Sequence, residues 1–176
     1  MTYKIGFNRM SQNSDKLLFQ LLSKEKIQEI DVWIAKYPDN QKQSAVMSTL
    51  RIVQDEYRYL TSHLMDAVAE YLDMPNIAVY EVASFYTMYE HQPVGKNIIN
   101  VCTNISCKLR GSTDIMNYLE EKLEIIQGQT TSDQRFTLRA VECLGACIHA
   151  PMMQINKDYH ENLTYEKIDT ILEQCE

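Results

Sequence analysis

Apolar side chains recur at helical spacing through the first half of the chain and change to strand-like runs in the second. Ile27, Ile30, Ile34 and Tyr37 fall on one helical face, and Pro38-Asp39-Asn40 closes that stretch. Val46, Leu50, Val53, Tyr57 and Leu60 recur at i, i+4, i+7, i+11 and i+14, which predicts one long amphipathic helix. Leu64, Met65, Val68, Tyr71 and Leu72 predict a third helix, ended by Asp73-Met74-Pro75. Asn76 is the expected cap of a fourth, carried by Val79, Val82, Ala83 and Tyr86, before Pro93 and Gly95 punctuate the chain.

Beyond that point strands and helices alternate. Asn97–Cys102 reads as a buried strand, and Ser112–Leu123 as a helix with Ile115, Met116, Leu119 and Leu123 turned inward. Gln127–Asp133 is a polar loop. Arg135–Glu142 alternates, with Phe136, Leu138 and Ala140 expected on one face. Met152–Asn156 is a short strand, Asn156-Lys157-Asp158 a turn, and Thr164 the cap of a last helix holding Ile168, Ile171 and Leu172. The order β-α-β-β-α suits a small α/β sandwich. The expected division is a polar tail over 1–22, a helical domain over 23–91 and an α/β domain over 92–176, an α+β chain overall.

With 176 residues, 45% of them apolar and 23% charged, the chain has the makings of an ordinary globular protein. A net charge of −7 without a Lys/Arg cluster argues against a nucleic-acid partner. No apolar run approaches the ~20 residues that span a bilayer, so membrane association is expected only through a partner. Met1–Phe19 has no apolar core or small-residue cleavage site of a secretory signal. Lys4, Arg9 and Lys16 give it a faint presequence character, but a polar tail is the better reading. An intracellular chain is therefore expected, where clustered cysteines bind metal or do redox work.

Four of the five cysteines form two close pairs, Cys102-Thr-Asn-Ile-Ser-Cys107 and Cys143-Leu-Gly-Ala-Cys147, each where a predicted strand runs out into a loop. Loop backbone can turn sulfurs toward one centre, whereas a regular strand points successive side chains to opposite faces. Small buried cysteines would explain one or two such residues, not four so paired. A structural zinc site needs four ligands and usually shows C-x₂₋₄-C knuckles, which these spacings leave open. A dithiol catalyst would show C-x-x-C, which is absent. A [2Fe–2S] cluster needs two thiolates per iron, and two separated pairs meet that need, although the plant-type run C-x₄-C-x₂-C is not present.

The residues around the pairs resemble a known family. Cys102-x₄-Cys107 with Leu109-Arg110-Gly111, Glu142-Cys143-Leu144-Gly145-Ala146-Cys147, and Ala150-Pro151-Met152-Met153 together look like the thioredoxin-like [2Fe–2S] ferredoxins. Within these they are similar to the E (flavoprotein 2) subunits of the NADH:quinone oxidoreductases, respiratory complex I. Ile52-Val53-Gln54-Asp55-Glu56, the run Val79–Tyr86, Pro93-Val94-Gly95-Lys96, Gly128–Asp133 and Leu163-Thr164 extend the resemblance over roughly residues 25–174. Two positions depart from it: Arg58 stands before Tyr59 where the family usually has glycine, and Lys157 where an acid is common.

The resemblance implies a thioredoxin-like [2Fe–2S] domain with an N-terminal helical extension. It implies Cys102 and Cys107 on one iron and Cys143 and Cys147 on the other, with backbone N–H groups around Ile105–Lys108 and Leu144–Ala146 donating to the sulfurs. It also implies single-electron exchange with the flavin of an NADH-oxidising partner subunit, within a complex on the cytoplasmic side of the inner membrane. FMN and NADH are expected on that partner, because this chain shows no Gly-rich phosphate loop and no dinucleotide fingerprint. The equivalent subunit of an NAD-linked hydrogenase or formate dehydrogenase is the alternative, and a zinc-stabilised interaction module a further one. Cys175 and the four scattered histidines are expected to take no part, His149 being the one nearest the cysteine loops.

Overall fold

A computed structural model describes residues 17–175, and the chain divides at Pro93/Val94 into two units. The first holds α1 (Leu17–Leu21), α2 (Lys24–Ile34), α3 (Val46–Tyr57), α4 (Ser62–Leu72) and α5 (Asn76–Phe85), with a short 3-10 helix at Lys42–Ala45. The expected polar tail is corrected in part. Residues 1–16 lie outside the described residues, but Leu17–Leu21 is helical, and Leu18 and Leu22 are buried in the core. A five-residue helix is too short to show a period, which is why the pattern missed it.

The other helices start where the chain can satisfy their first N–H groups. Ser23 caps α2 by accepting from Lys26 N, and Thr61 caps α4 by accepting from Leu64 N. Asn76 is not the cap of α5. Pro75 holds that place in extended conformation, and the Asn76 amide donates instead to Asp66 Oδ1 at 2.6 Å. Leu18, Ile30, Leu50, Val53, Val68, Leu72, Val79 and Ala83 belong to one core cluster. Gln54 on α3 fastens the extended segment after α5: its side chain accepts from Glu90 N at 2.7 Å and donates to Met88 O at 2.9 Å.

The second unit carries β1 (Asn97–Cys102), α6 (Ile105–Leu109), α7 (Ser112–Leu123), β2 (Phe136–Val141), β3 (Met153–Ile155), β4 (Asp158–His160) and α8 (Tyr165–Gln174). Its sheet has the order β2-β1-β3-β4. β1 pairs parallel with β2 and antiparallel with β3, and β3 pairs antiparallel with β4. The chain passes from β1 to β2 through α6 and α7, as a parallel pair requires.

Ile99, Val101, Leu138, Met153 and Ile155 from the strands pack with Ile115 and Leu119 of α7 and Ile168 and Ile171 of α8. The Tyr118 hydroxyl and Lys122 ammonium on α7 both donate to Asp169 on α8, and Tyr118 stacks on Tyr165, so the two helices lie side by side. The alternation expected along β2 holds at Phe136 and Leu138 but not at Ala140, which is exposed on this edge strand. Thr137 is buried instead, its hydroxyl accepting from Gly95 N at 2.7 Å. A Cβ at Gly95 would stand 2.7 Å from the Phe136 carbonyl carbon, so only glycine lets the two backbones approach.

β4 was not legible in the pattern, because Asp-Tyr-His shows no apolar alternation and two of its three residues are exposed. Asn156, at φ 54°, opens the two-residue turn into it. Its side chain accepts from Ile98 N at 3.0 Å and donates to Asn97 Oδ1 at 2.9 Å, which ties the hairpin to β1. Among the described residues no helix is long and apolar enough to cross a membrane.

The departure at Arg58 has a structural meaning. Arg58 is the C-cap of α3 with φ 73° and ψ −28°, in the left-handed region that glycine occupies without penalty. A side chain there costs roughly 1–2 kcal/mol, offset in part by the higher unfolded-state entropy of glycine. Arg58→Gly is therefore expected to stabilise the helical unit by about 0.5–1 kcal/mol. Urea unfolding of the full chain, followed by helical circular dichroism, checks the sign; a midpoint that falls would show that the arginine side chain supplies more than the strain removes.

Candidate metal centre

Parallel pairing brings the two cysteine loops together. In the β1–β2 register Cys102 faces Val141, so both strands end at the same edge and release their loops side by side. Thr103 laces them: its N–H and its hydroxyl both donate to Val141 O, at 2.9 and 3.1 Å. Asn104 adds a second lace, its Nδ2 donating to Glu142 Oε2 at 3.0 Å while its Oδ1 accepts from Ile105 N at 2.7 Å and caps α6.

Cys102 is the last residue of β1, and Cys107 sits inside α6 rather than in a loop, because the Asn104 cap starts a helix between the two cysteines. Both are buried, at 2% and 1% exposure, in a small cluster with Ala150 and Met152. Cys102 N donates to Met152 O, and Met152 N–H donates to the Cys107 sulfur. Met152 follows the cis Ala150–Pro151 peptide. The Met152 backbone thus closes over the first thiol pair with one hydrogen bond to each cysteine.

The second pair is exposed. Cys143 and Cys147 bring their sulfurs to 3.5 Å, and Gly145 N donates to Cys143 Sγ at 3.4 Å. Gly145 holds φ +86° with nothing within 4 Å of where a Cβ would stand, so backbone conformation alone selects glycine. A short 3-10 helix, Cys147–His149, carries the loop onward. The Tyr159 hydroxyl donates to Leu144 O at 2.6 Å.

The thiols feel one another. Burial, then the hydrogen bond with Cys102, pushes Cys107 up to about 11, against a smaller opposing effect of the Met152 N–H. The hydrogen bond and charge of Cys143 push Cys147 up, opposed by the Ser106 hydroxyl. The charge of Cys147 reaches Cys107, and that of Cys102 reaches Cys147, so the two pairs are neighbours. Cys107 and Cys147 therefore favour the protonated thiol until a cation compensates the negative charge, and metal binding there must release protons.

Two thiolates on one tetrahedral metal stand about 3.8 Å apart for metal–sulfur distances near 2.3 Å, close to the 3.5 Å of Cys143 and Cys147. Among the described residues no three or more His, Cys, Asp or Glu side chains gather as a single-ion site; the four thiols stand as two pairs. Each pair could hold one iron of a two-iron centre. His149 is exposed. Cys175 lies elsewhere: Arg135, before the opposite end of β2, donates from its guanidinium to the Cys175 carbonyl, and that strand separates it from the thiol loops by roughly 20 Å.

Spacing and family resemblance singled out the four thiols. They did not find Thr103, Asn104, Ser106 or Tyr159. Asn104 carried a readable signal, as a cap residue before a short apolar helix. The others act on partners distant in sequence, and leave none.

Comparison with known proteins bears on the same residues. The family model described as thioredoxin-like [2Fe-2S] ferredoxin matches residues 30–176. The chain is 48% identical over 141 residues to the E subunit of the NADH-quinone oxidoreductase of Rickettsia bellii, covering 80% of this chain and 84% of that protein. It is 43% identical over 146 residues to the second E subunit of the NADH-quinone oxidoreductase of Rhizobium meliloti, covering 83% and 86%. In fold it resembles a chain of the NAD+-reducing [NiFe]-hydrogenase in its air-oxidised crystal structure, with a TM-score of 0.65 at 22% identity over 74% of this chain and 22% of that one.

The burial difference makes a chemical prediction. In metal-free protein treated with iodoacetamide at about pH 8, Cys143 and Cys147 should be alkylated well before Cys102 and Cys107. Timed peptide mass spectrometry reads the order; labelling of Cys107 ahead of Cys143 would contradict the closed first pair.

Proposed function

This chain belongs to the thioredoxin-like [2Fe–2S] ferredoxin family, and from that premise we propose that it holds one [2Fe–2S] cluster, with Cys102 and Cys107 on one iron and Cys143 and Cys147 on the other. The observation that carries the ligation is the arrangement of four thiols as two neighbouring pairs at one end of β1 and β2. The cluster supplies a one-electron redox couple. The chain supplies ligation, burial of one thiol pair and exposure of the other, and backbone donors to the sulfurs. The exposed pair leaves an edge of the site open to a redox partner.

The complex is an NADH:quinone oxidoreductase. The relatives from such complexes match this chain over four-fifths of its length and over more than four-fifths of their own, which supports that assignment over the hydrogenase, whose likeness is one of fold. In it the cluster exchanges single electrons with the flavin of an NADH-oxidising partner subunit, peripheral on the cytoplasmic side of the inner membrane. Apolar surface on the helical unit, with Phe85 77% and Ile77 64% exposed, is available for contact with other subunits.

Replacing any one of Cys102, Cys107, Cys143 or Cys147 by Ser should lose or severely destabilise the cluster, while Cys175→Ser should keep iron near two per chain. Iron analysis and the visible spectrum decide it, since zinc is colourless and a [2Fe–2S] protein red-brown. Bleaching by Cys175→Ser, with one of the four tolerated, would overturn the ligand set.

Electron flow is tested separately. The isolated cluster-bearing chain should stay oxidised in NADH, because a hydride brings two electrons and this site takes one. Dithionite should reduce it, and addition of the flavin-bearing partner should allow NADH to do so, detected by low-temperature electron paramagnetic resonance. Direct reduction of the isolated chain by NADH would overturn the division of labour.

A further inference from the structure

The Leu144–Gly145 peptide inside the Cys143–Cys147 loop is hydrogen-bonded at both ends. Its carbonyl accepts from the Tyr159 hydroxyl at 2.6 Å, and its N–H donates to Cys143 Sγ at 3.4 Å. These are the two poles of one amide. A donor on the carbonyl oxygen draws electron density from the amide nitrogen and makes the N–H a better donor, the mutual polarisation expected in a chain of hydrogen bonds. We propose that Tyr159 is a positioning residue for the metal centre, setting through this peptide the strength of the N–H bond to the Cys143 sulfur and thereby the reduction potential. The proposal rests on the ligation argued above.

The fold places Tyr159 for this. It sits in the middle of β4, paired with Gln154 of β3, and β3 pairs with β1, the strand that ends in Cys102. Asn156 pins the start of the hairpin to β1 through two side-chain hydrogen bonds. The exposed loop, which carries both outer thiols, is thus fastened to the sheet by a phenol on its last strand. Directly after this peptide the chain turns at Gly145, whose φ of +86° is a conformation a Cβ would strain. Without the Tyr159 hydroxyl the Leu144 carbonyl would turn to water, whose bond is less directional and competes with reorientation of the peptide.

The sign follows from charge. Reduction adds an electron to the cluster and raises the negative charge on its sulfurs, so a donor to a ligand sulfur stabilises the reduced state more than the oxidised one. A stronger N–H bond raises the potential, and a weaker one lowers it.

The experiment grades donor strength at one atom. The full chain is prepared with Tyr159, with Tyr159→Phe, and with 3-fluorotyrosine placed site-specifically at 159, all compared in one neutral buffer. All three should carry two irons per chain. Midpoint potentials from redox titration should order as Phe below Tyr below fluorotyrosine. In the metal-free chain labelled with 15N at glycine, the Gly145 amide proton should shift upfield and exchange faster in Tyr159→Phe. Equal potentials across the series, or an order unrelated to donor strength, would overturn the proposal. So would iron loss in Tyr159→Phe, because the hydroxyl would then be holding the loop together and not tuning an intact centre. If the wild-type chain itself takes up no iron, the ligation has failed and not this coupling. The Gly145 amide shift then decides whether the phenol controls the peptide, and an unmoved resonance rejects it.

Discussion

Parallel register between β1 and β2 is the constraint from which the site follows. Two strands that run the same way end at the same edge of a sheet, so whatever each carries just past its last residue is delivered to one place. With Cys102 opposite Val141, one pair begins at the end of β1 and the other two residues beyond the end of β2. An antiparallel pairing of the same segments would send the loops to opposite ends. Everything local then serves to hold the two loops in step: Thr103 and Asn104 reach across to Val141 and Glu142, and the Met152 backbone closes the first pair from a third direction. A one-residue slip would turn the Cys102 side chain to the other face of the sheet.

The two pairs are held by different physics. Cys102 and Cys107 are buried with Ala150 and Met152, where a thiolate is costly unless a cation lies against it. Cys143 and Cys147 stand in solvent on a loop held by single hydrogen bonds. In the ligation proposed above, the buried half would keep water from one side of the centre, and the exposed half would let a redox partner approach it.

Legibility in the sequence tracked the physical strength of the local signal. β1 and α7 were read to the residue, because a buried run ending at the first cysteine and an apolar helical face ending at Leu123 are strong patterns. α1, α6 and β4 were not read; each is three to five residues long, below one clear period of its structure. Ala140 was misplaced because alternation presumes a sheet with one buried face throughout, whereas the end of an edge strand is wet on both. The four thiols stood out by spacing and by family resemblance. Their supports did not, since Tyr159 reaches a carbonyl fifteen residues away and a carbonyl carries no sequence signature.

Backbone strain falls in an informative pattern. Arg58 and Asp73 in the helical unit, and Glu124, Gln134, Asn156 and Asn162 in the α/β unit, take left-handed conformations outside the thiol loops, where the cost of a side chain, roughly 1–2 kcal/mol, falls on stability alone. Near the thiols, the left-handed positions at 111 and 145 are glycine. Steric room does not explain the difference, because a Cβ at 145 would meet nothing and one at 111 only the end of the Asp114 side chain, at 3.8 Å. What differs is the consequence of relaxing. At Arg58 a few degrees of adjustment move a helix cap. At Gly145 the same adjustment redirects the loop that brings the Cys143 and Cys147 sulfurs to 3.5 Å. Strain can be carried where it is paid in stability, but not where the conformation itself aims the atom that the chemistry uses.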